Sequence, residues 1–289
     1  MSEFSSSQGL SWFLQHRALL ELLLTFGGML LLMMVETVMP RVQPRRVPVA
    51  RWFNNWALAI FNYFFLLWLA YLVTVSALAE QWGAGESGLL QGVHPVVAFA
   101  GVFIVLEGMV YALHRAFHQV PLLWRLHAVH HLDTEVDVTT AHRHHTLELV
   151  IVSMVLVPVI LLLAPPTVVL LAYFMLRGVV VLLSHSNLYL PERADRWLRR
   201  VVVTPDFHRL HHAADQRYTD SNYGTVTPWF DYLFGTATDL RFQGHERLVT
   251  GLEYLRRDGD SRVDRLLLLP LRWRQRVRRP GPDARVKQR

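Results

Sequence analysis

The chain has 289 residues, of which 52% are hydrophobic and 18% charged, and its mean hydropathy is +0.23. Soluble domains usually carry about 25% charged residues, so this composition argues against a soluble globular protein and against a disordered one. The formal net charge is +6 and cysteine is absent. The lack of cysteine excludes disulfides, thiolate zinc sites and cysteine-ligated iron–sulfur clusters.

Four long apolar stretches predict the membrane-spanning part of the chain, because a helix needs about 20 mostly apolar residues to cross a bilayer. The last stretch contains Pro165 and Pro166, and we expect it to form two helices joined at that pair. Each half has only about 15–18 residues, roughly 22–27 Å of helix. The halves therefore form either a tight hairpin of two spans or a pair that does not fully cross. The first stretch lacks a signal-peptide pattern and is expected to be retained. The stretches are Ala18–Met39, Trp52–Ala79, Val93–Leu113 and Leu149–Leu183.

The charges between these stretches predict which side of the membrane each loop occupies. The loop Glu80–Gly92 has no lysine or arginine, whereas the loop before the second stretch is rich in arginine. The positive-inside rule therefore places the arginine loop, and with it every histidine-rich segment, in the cytoplasm. The basic region from Arg241 onward agrees; it is either an interfacial segment on anionic lipid or a solvated basic tail. The arginines of the first loop are Arg41, Arg45, Arg46 and Arg51.

Histidine is concentrated in one part of the chain, since twelve of the fifteen lie between His114 and His212. Residues three and four positions apart share one face of a helix, so one helix can offer two or three imidazoles to an ion. Neutral imidazole is a good ligand for iron, zinc and copper. About eight to ten such ligands fit two ions, because one ion takes roughly four to six. The motifs are His114 and His118; His127, His130 and His131; His142, His144 and His145; His185; and His208, His211 and His212.

A solvated histidine surface that titrates with pH is the alternative to metal binding. It does not account for two HxxHH triples and an HxxxH pair within about 100 residues on one predicted side of the membrane. His142, His144 and His145 compete for one or two ligand positions. The remaining three histidines are interpreted as ordinary polar residues; these are His16, His94 and His245.

These motifs resemble the fatty acid hydroxylase/sterol desaturase superfamily over the region from about His114 to Thr236. The family's RxHPxE motif corresponds to Arg143, His145 and Glu148, with Thr146 in place of the proline. Further matches are His185-Ser-Asn187, Thr204–His212, Asp220–Gly224 and Trp229–Thr236.

The expected fold is all-α: an integral membrane helical bundle of about four transmembrane helices, with a cytoplasmic helical cap that carries the histidine clusters. We expect three regions. Residues 1–92 hold N-terminal membrane spans and loops, residues 93–240 form the fatty acid hydroxylase-like catalytic region, and residues 241–289 form a basic C-terminal interfacial tail. Lys287 is the sole lysine, and this arginine bias suggests a GC-rich bacterial source. The expected location is then the bacterial inner membrane, with the active site facing the cytoplasm.

The resemblance implies a membrane-bound di-iron oxidoreductase that uses O2 and externally supplied electrons. It would hydroxylate or desaturate a C–H bond of a fatty acyl, sterol or sphingoid-type lipid. The implied cofactor is two iron ions, with zinc able to replace them in a purified sample. The implied metal ligands are His114, His118, His127, His130, His131, His145, His185, His208, His211 and His212.

The implied electron donor is a ferredoxin, or a b-type cytochrome with its reductase, and no nucleic acid partner is expected. Arg209 and the arginines from Arg241 onward are the candidates for the surface on which this donor docks. Basic side chains there would attract a carrier with an acidic face.

Two other function classes remain open from the sequence: a membrane metallohydrolase with a histidine site, and a metal-binding membrane protein without catalysis. The segment Gly83–Gly88 matches GxGxxG, but it lies between two apolar spans and lacks the βαβ context of a dinucleotide site. Glu107 lies within the third stretch, where a charge is costly and should face the bundle interior. It is expected either to contact a ligand histidine or to pair with Arg177.

Overall fold

The computed structural model describes residues 12, 15–44, 49–75, 88–90, 92–240 and 242–273. This part of the chain is helical, with no β-strand beyond isolated bridges between Pro40 and Leu188 and between Ala213 and Thr250, so the predicted all-α class is confirmed. The α-helices are α1 (Arg17–Leu22), α2 (Gly28–Val38), α3 (Val49–Val75), α4 (Pro95–Gln119), α5 (Pro121–His131), α6 (Thr146–Leu163), α7 (Thr167–His185), α8 (Glu192–Leu198), α9 (Pro205–His211), α10 (Gln216–Thr219), α11 (Trp229–Phe234) and α12 (Val263–Arg272). A π-helical turn (Leu23–Gly27) joins α1 to α2, and 3₁₀ turns cover Val138–His142, Phe242–Arg247 and Asp258–Ser261.

Four helical stretches are long and apolar enough to cross a membrane: Leu19–Val38, α4, α6 and α7. Large apolar side chains along them face outward; Met34 is 62% exposed and Met154 is 70% exposed. Apolar surface of this extent suits lipid rather than water. The chain is therefore an integral membrane protein. The second predicted stretch is helical as well, since α3 has 27 residues and spans about 40 Å, but it is not among those four.

The apolar stretch 149–183 is two helices, as predicted. Helix α6 ends at Leu163 and α7 begins at Thr167, and Ala164 between them adopts a positive φ of 40°. The helices have 18 and 19 residues, which gives each roughly 27–29 Å and approaches the hydrocarbon thickness of about 30 Å. This length favours two full spans over a pair that stops short.

Some of the predicted features lie outside the described residues. They are Arg45 and Arg46 of the arginine loop, most of the loop Glu80–Gly92 with its GxGxxG match, and the basic tail beyond Trp273.

A proline break positions the first two histidine motifs against each other. Helix α4 runs six residues beyond the predicted end of its span, to Gln119, and so carries His114 and His118 on its last turns. Val120 is extended because the residue before a proline is driven out of the helical region, and α5 starts at Pro121. The chain therefore turns sharply, and the histidines of α5 fold back onto the end of α4.

Three apolar clusters hold the helices in place. One joins α4, α6 and α7 around Leu106 and Tyr173. A second packs Leu58 of α3 and Leu266 of α12 against α5, and a third packs Met29 against Leu182. Helices α5 and α7, which carry histidine motifs, are thus fixed by cores that contain no histidine.

Candidate metal centre

The histidines of the motifs come together in two neighbouring groups, each with its potential ligand atoms within 4.8 Å of one another. We call them the five-histidine group and the four-histidine group. The five-histidine group consists of His114, His118, His127, His131 and His211. The four-histidine group consists of His130, His185, His208 and His212. Helices α5 and α9 contribute to both groups, because adjacent residues on each helix diverge into different groups.

The spacing of the ring nitrogens fits metal coordination. In the four-histidine group, Nε2 of His185 lies 3.2 Å from Nε2 of His130 and 2.9 Å from Nε2 of His208. In the five-histidine group, the Nε2 atoms of His114 and His127 are 3.1 Å apart. Nitrogens bound to one ion at about 2.0–2.1 Å are separated by about 2.9 Å in octahedral geometry and about 3.4 Å in tetrahedral geometry. The observed distances fall in that interval.

The rings are also buried and short of partners. Both ring nitrogens of His131 and Nε2 of His211 are buried without a hydrogen-bond partner among the described residues, an arrangement that costs free energy unless a ligand is present. Burial lowers the pKa of His211 to about 3 and holds the pKa of His131 well below its ordinary value. Both rings are therefore neutral at physiological pH, which is the form that binds metal.

In the five-histidine group, oxygen atoms fix four of the five rings through Nδ1. Nδ1 of His114 donates to the carbonyl of Tyr223 at 2.7 Å, and Nδ1 of His211 donates to the carbonyl of Ser221 at 2.6 Å. Carboxylates fix the other two, since Nδ1 of His127 contacts Glu148 at 2.8 Å and Nδ1 of His118 contacts Asp220 at 3.2 Å. A proton held on Nδ1 leaves Nε2 as the free donor toward an ion.

A tight turn from Ser221 to Gly224 supplies the two carbonyls. Asn222 adopts a positive φ of 55°, which asparagine tolerates. Gly224 is required because a Cβ atom there would lie 2.4 Å from the carbonyl oxygen of Thr227. Asp231 closes the turn by accepting the backbone N–H groups of Tyr223 and Gly224 at 2.8 and 2.7 Å. The segments Asp220–Gly224 and Trp229–Thr236 thus hold in place the carbonyls that orient the rings of His114 and His211.

The four-histidine group has fewer such contacts. Nδ1 of His185 donates to the carbonyl of Val181 at 2.8 Å. The Nδ1 atoms of the other three rings are buried and have no hydrogen-bond partner in the part of the chain that the structure describes; they belong to His130, His208 and His212. Ring stacking orients these side chains, since His144 lies flat on His130 with centroids 4.3 Å apart and an interplanar angle of 10°.

The structure brings nine of the ten predicted ligands into the two groups, and His145 is the exception. His145 is the N-cap of α6: its Nδ1 accepts the N–H of Leu147 at 3.1 Å, and its Nε2 lies 3.1 Å from the carbonyl of Leu267. The neighbouring His144 is the one that faces the groups, where its Nδ1 lies 3.0 Å from Glu148. A capping role explains the difference, because a ring that caps a helix points along the backbone of its own segment.

The structure also places the histidines and the glutamate that the sequence leaves open. His142 ends a 3₁₀ turn and belongs to neither group, and the same holds for His16, His94 and His245. Glu107 accepts a hydrogen bond from Tyr173 at 2.8 Å and lies 3.7 Å from Nη1 of Arg177. The ion-pair alternative is therefore the one that the geometry favours over contact with a ligand histidine.

The residues behind the rings are not apparent from the sequence. Glu148 occupies a motif position, but the pattern does not predict its contact with both His127 and His144. Asp220 and Asp231 lie inside motifs that assign them no role. A carboxylate at a fixed spacing from a histidine motif is the signal that points to such residues.

Residues 99–236, which contain both groups and the turn behind them, match the fatty acid hydroxylase family. The matched region is slightly less than half of the chain. A fatty acid hydroxylase named vlmA, from Lecanicillium sp, is 30% identical over 150 residues, which are 47% of this chain and 40% of that protein. An alkylglycerol monooxygenase from Xenopus tropicalis is 29% identical over 153 residues, 53% of this chain and 32% of that protein.

A third relative is the very-long-chain aldehyde decarbonylase GL1-7 of Oryza sativa subsp. japonica. It is 25% identical over 159 residues, which are 51% of this chain and 24% of the rice protein. The chain therefore spans well under half of the length of each of these relatives. No solved structure matches the chain.

Proposed function

We propose that this chain is a membrane-bound di-iron oxidoreductase that hydroxylates or desaturates a lipid C–H bond, using O2 and electrons from a separate protein. The observation that carries the proposal is the pair of buried histidine groups built on the shared helices α5 and α9. The match of residues 99–236 to the fatty acid hydroxylase family supports the choice of chemistry. The donor set by itself suits iron, zinc or copper.

We assign one ion to the five-histidine group and one to the four-histidine group, and the nine grouped histidines are the ligands. Iron bound there would supply the activation of O2 that C–H oxidation needs. The protein's own contribution is positional: Glu148 and the carbonyls of Ser221 and Tyr223 hold protons on Nδ1, so that Nε2 of each ring faces the ion. Burial of the rings keeps bulk water away from the reacting centre.

The proposed substrate is a long-chain lipid of the fatty acyl, sterol or sphingoid type. The centre lies at the ends of α4 and α7, two helices that can cross a membrane, so a lipid can reach it without leaving the bilayer. The names of the relatives point the same way, since they refer to fatty acids, alkylglycerols and very-long-chain aldehydes.

The decisive experiment combines metal analysis, O2 uptake and lipid mass spectrometry on cells with and without the chain. We expect about two iron ions per chain, O2 consumption on reduction, and a lipid that gains one oxygen atom or loses two hydrogen atoms. A metallohydrolase would consume no O2, and a metal-binding protein without catalysis would leave every lipid unchanged. Either result would reject the proposal.

We further propose that the centre and the helices around it form a cap on the cytoplasmic side of a bacterial inner membrane. A cysteine that replaces Glu86 should react with an impermeant thiol reagent outside intact cells, and one that replaces Asp215 should not. Because the natural chain contains no cysteine, the reagent can label only the introduced one. The reverse labelling pattern would place the centre on the outer side.

We propose that the electron donor docks on exposed arginines of the C-terminal region, such as Arg247, Arg257 and Arg265. Arg209, which the sequence also offers for this surface, is 7% exposed and cannot contact a protein partner. The purified chain should not oxidise lipid with a pyridine nucleotide alone, and a reduced carrier with an acidic face should restore turnover. Salt should slow that turnover, because the Debye length falls from about 10 Å at 0.1 M to about 3 Å at 1 M.

A further inference from the structure

A cavity of about 620 Å³ lies beside the metal centre and contains none of its histidines. This volume is within the range of about 300–1,000 Å³ that is typical of ligand pockets. Its wall includes Asn187, two residues after the ligand His185, and Arg209, which lies between the ligands His208 and His211. Arg51 and Arg256 line it as well.

Two of these arginines have no carboxylate partner within 4.0 Å in the described part of the chain. Arg209 is buried, its Nε has no hydrogen-bond partner there, and its Nη1 reaches Asn187 and the carbonyl of Val136 only at 3.3 Å. Arg256 donates to the backbone carbonyls of Thr250 and Leu252. A buried guanidinium without an ion-pair partner is costly.

The same wall contains four acids, which are Glu36, Glu135, Asp137 and Glu246. Glu246 lies 3.8 Å from Arg41, a further arginine of the wall. Glu36 accepts the backbone N–H groups of Val138 and Asn187 at 3.0 and 2.6 Å. Asp137 accepts from Arg51, from the indole of Trp52 and from the backbone of Thr139. Within the described residues, the buried polar atoms of the wall that have no partner are N–H groups, Nε of Arg51 and Nε of Arg209. These N–H groups favour a ligand that accepts hydrogen bonds, and the two arginines without a carboxylate partner, Arg209 and Arg256, favour one that carries negative charge.

The position of the cavity indicates where such a ligand comes from. Its wall contains Glu36 and Thr37 at the end of the span Leu19–Val38, and Arg51 and Trp52 at the start of α3. Residues at the ends of membrane helices lie at the level of lipid head groups, where arginine and tryptophan are favoured. A lipid could place its head in the cavity while its chain stays in the bilayer.

We propose that this cavity binds the anionic head group, a phosphate or carboxylate, of the lipid substrate. Arg209 and Arg256 are the residues that recognise the charge. The inference rests on the proposed function, because it names the substrate's head group at the same centre. Two wall residues, Asn187 and Arg209, are within two positions along the chain of the ligands His185, His208 and His211. We therefore expect oxidation to fall on carbons close to the head.

Binding measurements on the purified, metal-loaded chain in neutral detergent test the proposal without turnover. The two probes are oleoyl lysophosphatidate and oleoyl glycerol, which share a chain and differ in the phosphate. We expect the wild type to bind the phosphate lipid at least about tenfold more tightly, the effect of one charge-assisted hydrogen bond. Arg209→Gln should remove most of this preference and Arg256→Gln part of it. Arg196→Gln is the matched control, because Arg196 is an exposed arginine paired with Glu192 outside the cavity.

Equal binding of the two lipids by the wild type would overturn the proposal, as would an unchanged preference in both cavity variants. If Arg209→Gln does not fold, Arg256→Gln and competition by inorganic phosphate decide: phosphate should displace the lysophosphatidate and not the oleoyl glycerol. Free phosphate that binds as tightly as the lysophosphatidate would assign the cavity to a soluble anion and overturn the lipid assignment. A chain that shows the head-group preference but oxidises no lipid would refute the proposed function and leave the cavity assignment standing.

Discussion

The two histidine groups lie side by side, yet their rings are held by different forces. Carbonyl and carboxylate oxygens fix four rings of the five-histidine group through Nδ1. In the four-histidine group the carbonyl of Val181 fixes His185 in this way, and stacking against neighbouring imidazoles orients the others, as with His144 on His130 and His131 on His212.

Hydrogen bonds therefore orient the rings of the five-histidine group, and packing orients most rings of the four-histidine group. A hydrogen bond to Nδ1 sets the tautomer and raises the basicity of Nε2, so it strengthens the bond to an ion. Stacked rings set an orientation without setting the tautomer. We therefore expect the ion of the four-histidine group to be the more easily removed.

Removing one ligand from each group should give the largest effect and shows whether the groups hold separate ions. His211→Ala and His130→Ala should each abolish lipid oxidation and each lose about one metal ion per chain. Replacing a residue that only contacts a ligand typically lowers metal affinity or activity by roughly 10–100-fold. Removing a direct ligand should lower both by more. Metal analysis and product formation are the measurements, with His94→Ala as the control on an exposed histidine outside both groups. Full metal content and turnover in both variants would refute the two-ion assignment.

Neutralising the carboxylate of Glu148 tests mainly the five-histidine group. Glu148→Gln keeps the shape of the side chain but removes the charge that Nδ1 of His127 and Nδ1 of His144 contact. We expect the metal affinity of the five-histidine group to fall by about 10–100-fold. The loss from the four-histidine group should be smaller, since Glu148 reaches it only through His144, which stacks on His130. Competition with a chelator, followed by metal analysis, measures it. An equal loss from both groups would show that their ions are not held independently.

Acidification of the metal-free protein tests how the burial of neutral His211, in the five-histidine group, affects the stability of the fold. The folded-state pKa of His211 is about 3, well below the ordinary value of 6.5, so the unfolded chain binds more protons between these pH values. The stability that neutral His211 contributes is therefore fully present above about pH 6.5 and is lost as the pH drops toward 3. Over this window the folding equilibrium constant falls by up to about tenfold per pH unit. Denaturation curves at several pH values check this; the dependence should be shallower in His211→Asn. Metal should suppress it in the wild type.

The smallest effect on metal affinity is expected for the long contact between Ser184 and His185 of the four-histidine group. Oγ of Ser184 lies 3.4 Å from Nδ1 of His185, whereas the carbonyl of Val181 is at 2.8 Å. Ser184→Ala should therefore change the metal affinity by less than about threefold, since contacts this long contribute little. The chelator assay used for Glu148→Gln gives the value. A large loss would mean that the four-histidine group also depends on directed hydrogen bonds.

The histidine positions of the centre are predictable because their spacing reflects helix geometry. Two residues three or four apart on a helix must share a face, so the HxxxH and HxxHH motifs by themselves indicate clusters. The separation into two groups is less accessible, since it depends on the angle at Val120 and Pro121 and on where α9 packs. His145 and His144 cannot be told apart from the sequence, because which of them caps α6 depends on backbone dihedrals.

The oxygens behind the rings are the hardest part to predict. Every residue has a carbonyl, and nothing in the sequence marks those of Ser221 and Tyr223 as hydrogen-bond acceptors. The membrane helices are the easiest part, because long apolar segments have few alternatives. Glu107 is predictable only in part. Its interior position follows from the cost of a charge in lipid, but its partners, among them Tyr173, depend on how the helices pack.

The turn that Asp231 closes has a consequence for the order in which the protein matures. Translation produces the membrane helices and the first histidine motifs long before Asp231 exists, so His114 has no Tyr223 carbonyl to orient it while the later segment is still being made. His211 likewise joins His114 only after α9 has been synthesised. The five-histidine group therefore cannot acquire its final shape during membrane insertion. A metal ion can be held by all five rings only in a chain that has been completed at least to the end of α11.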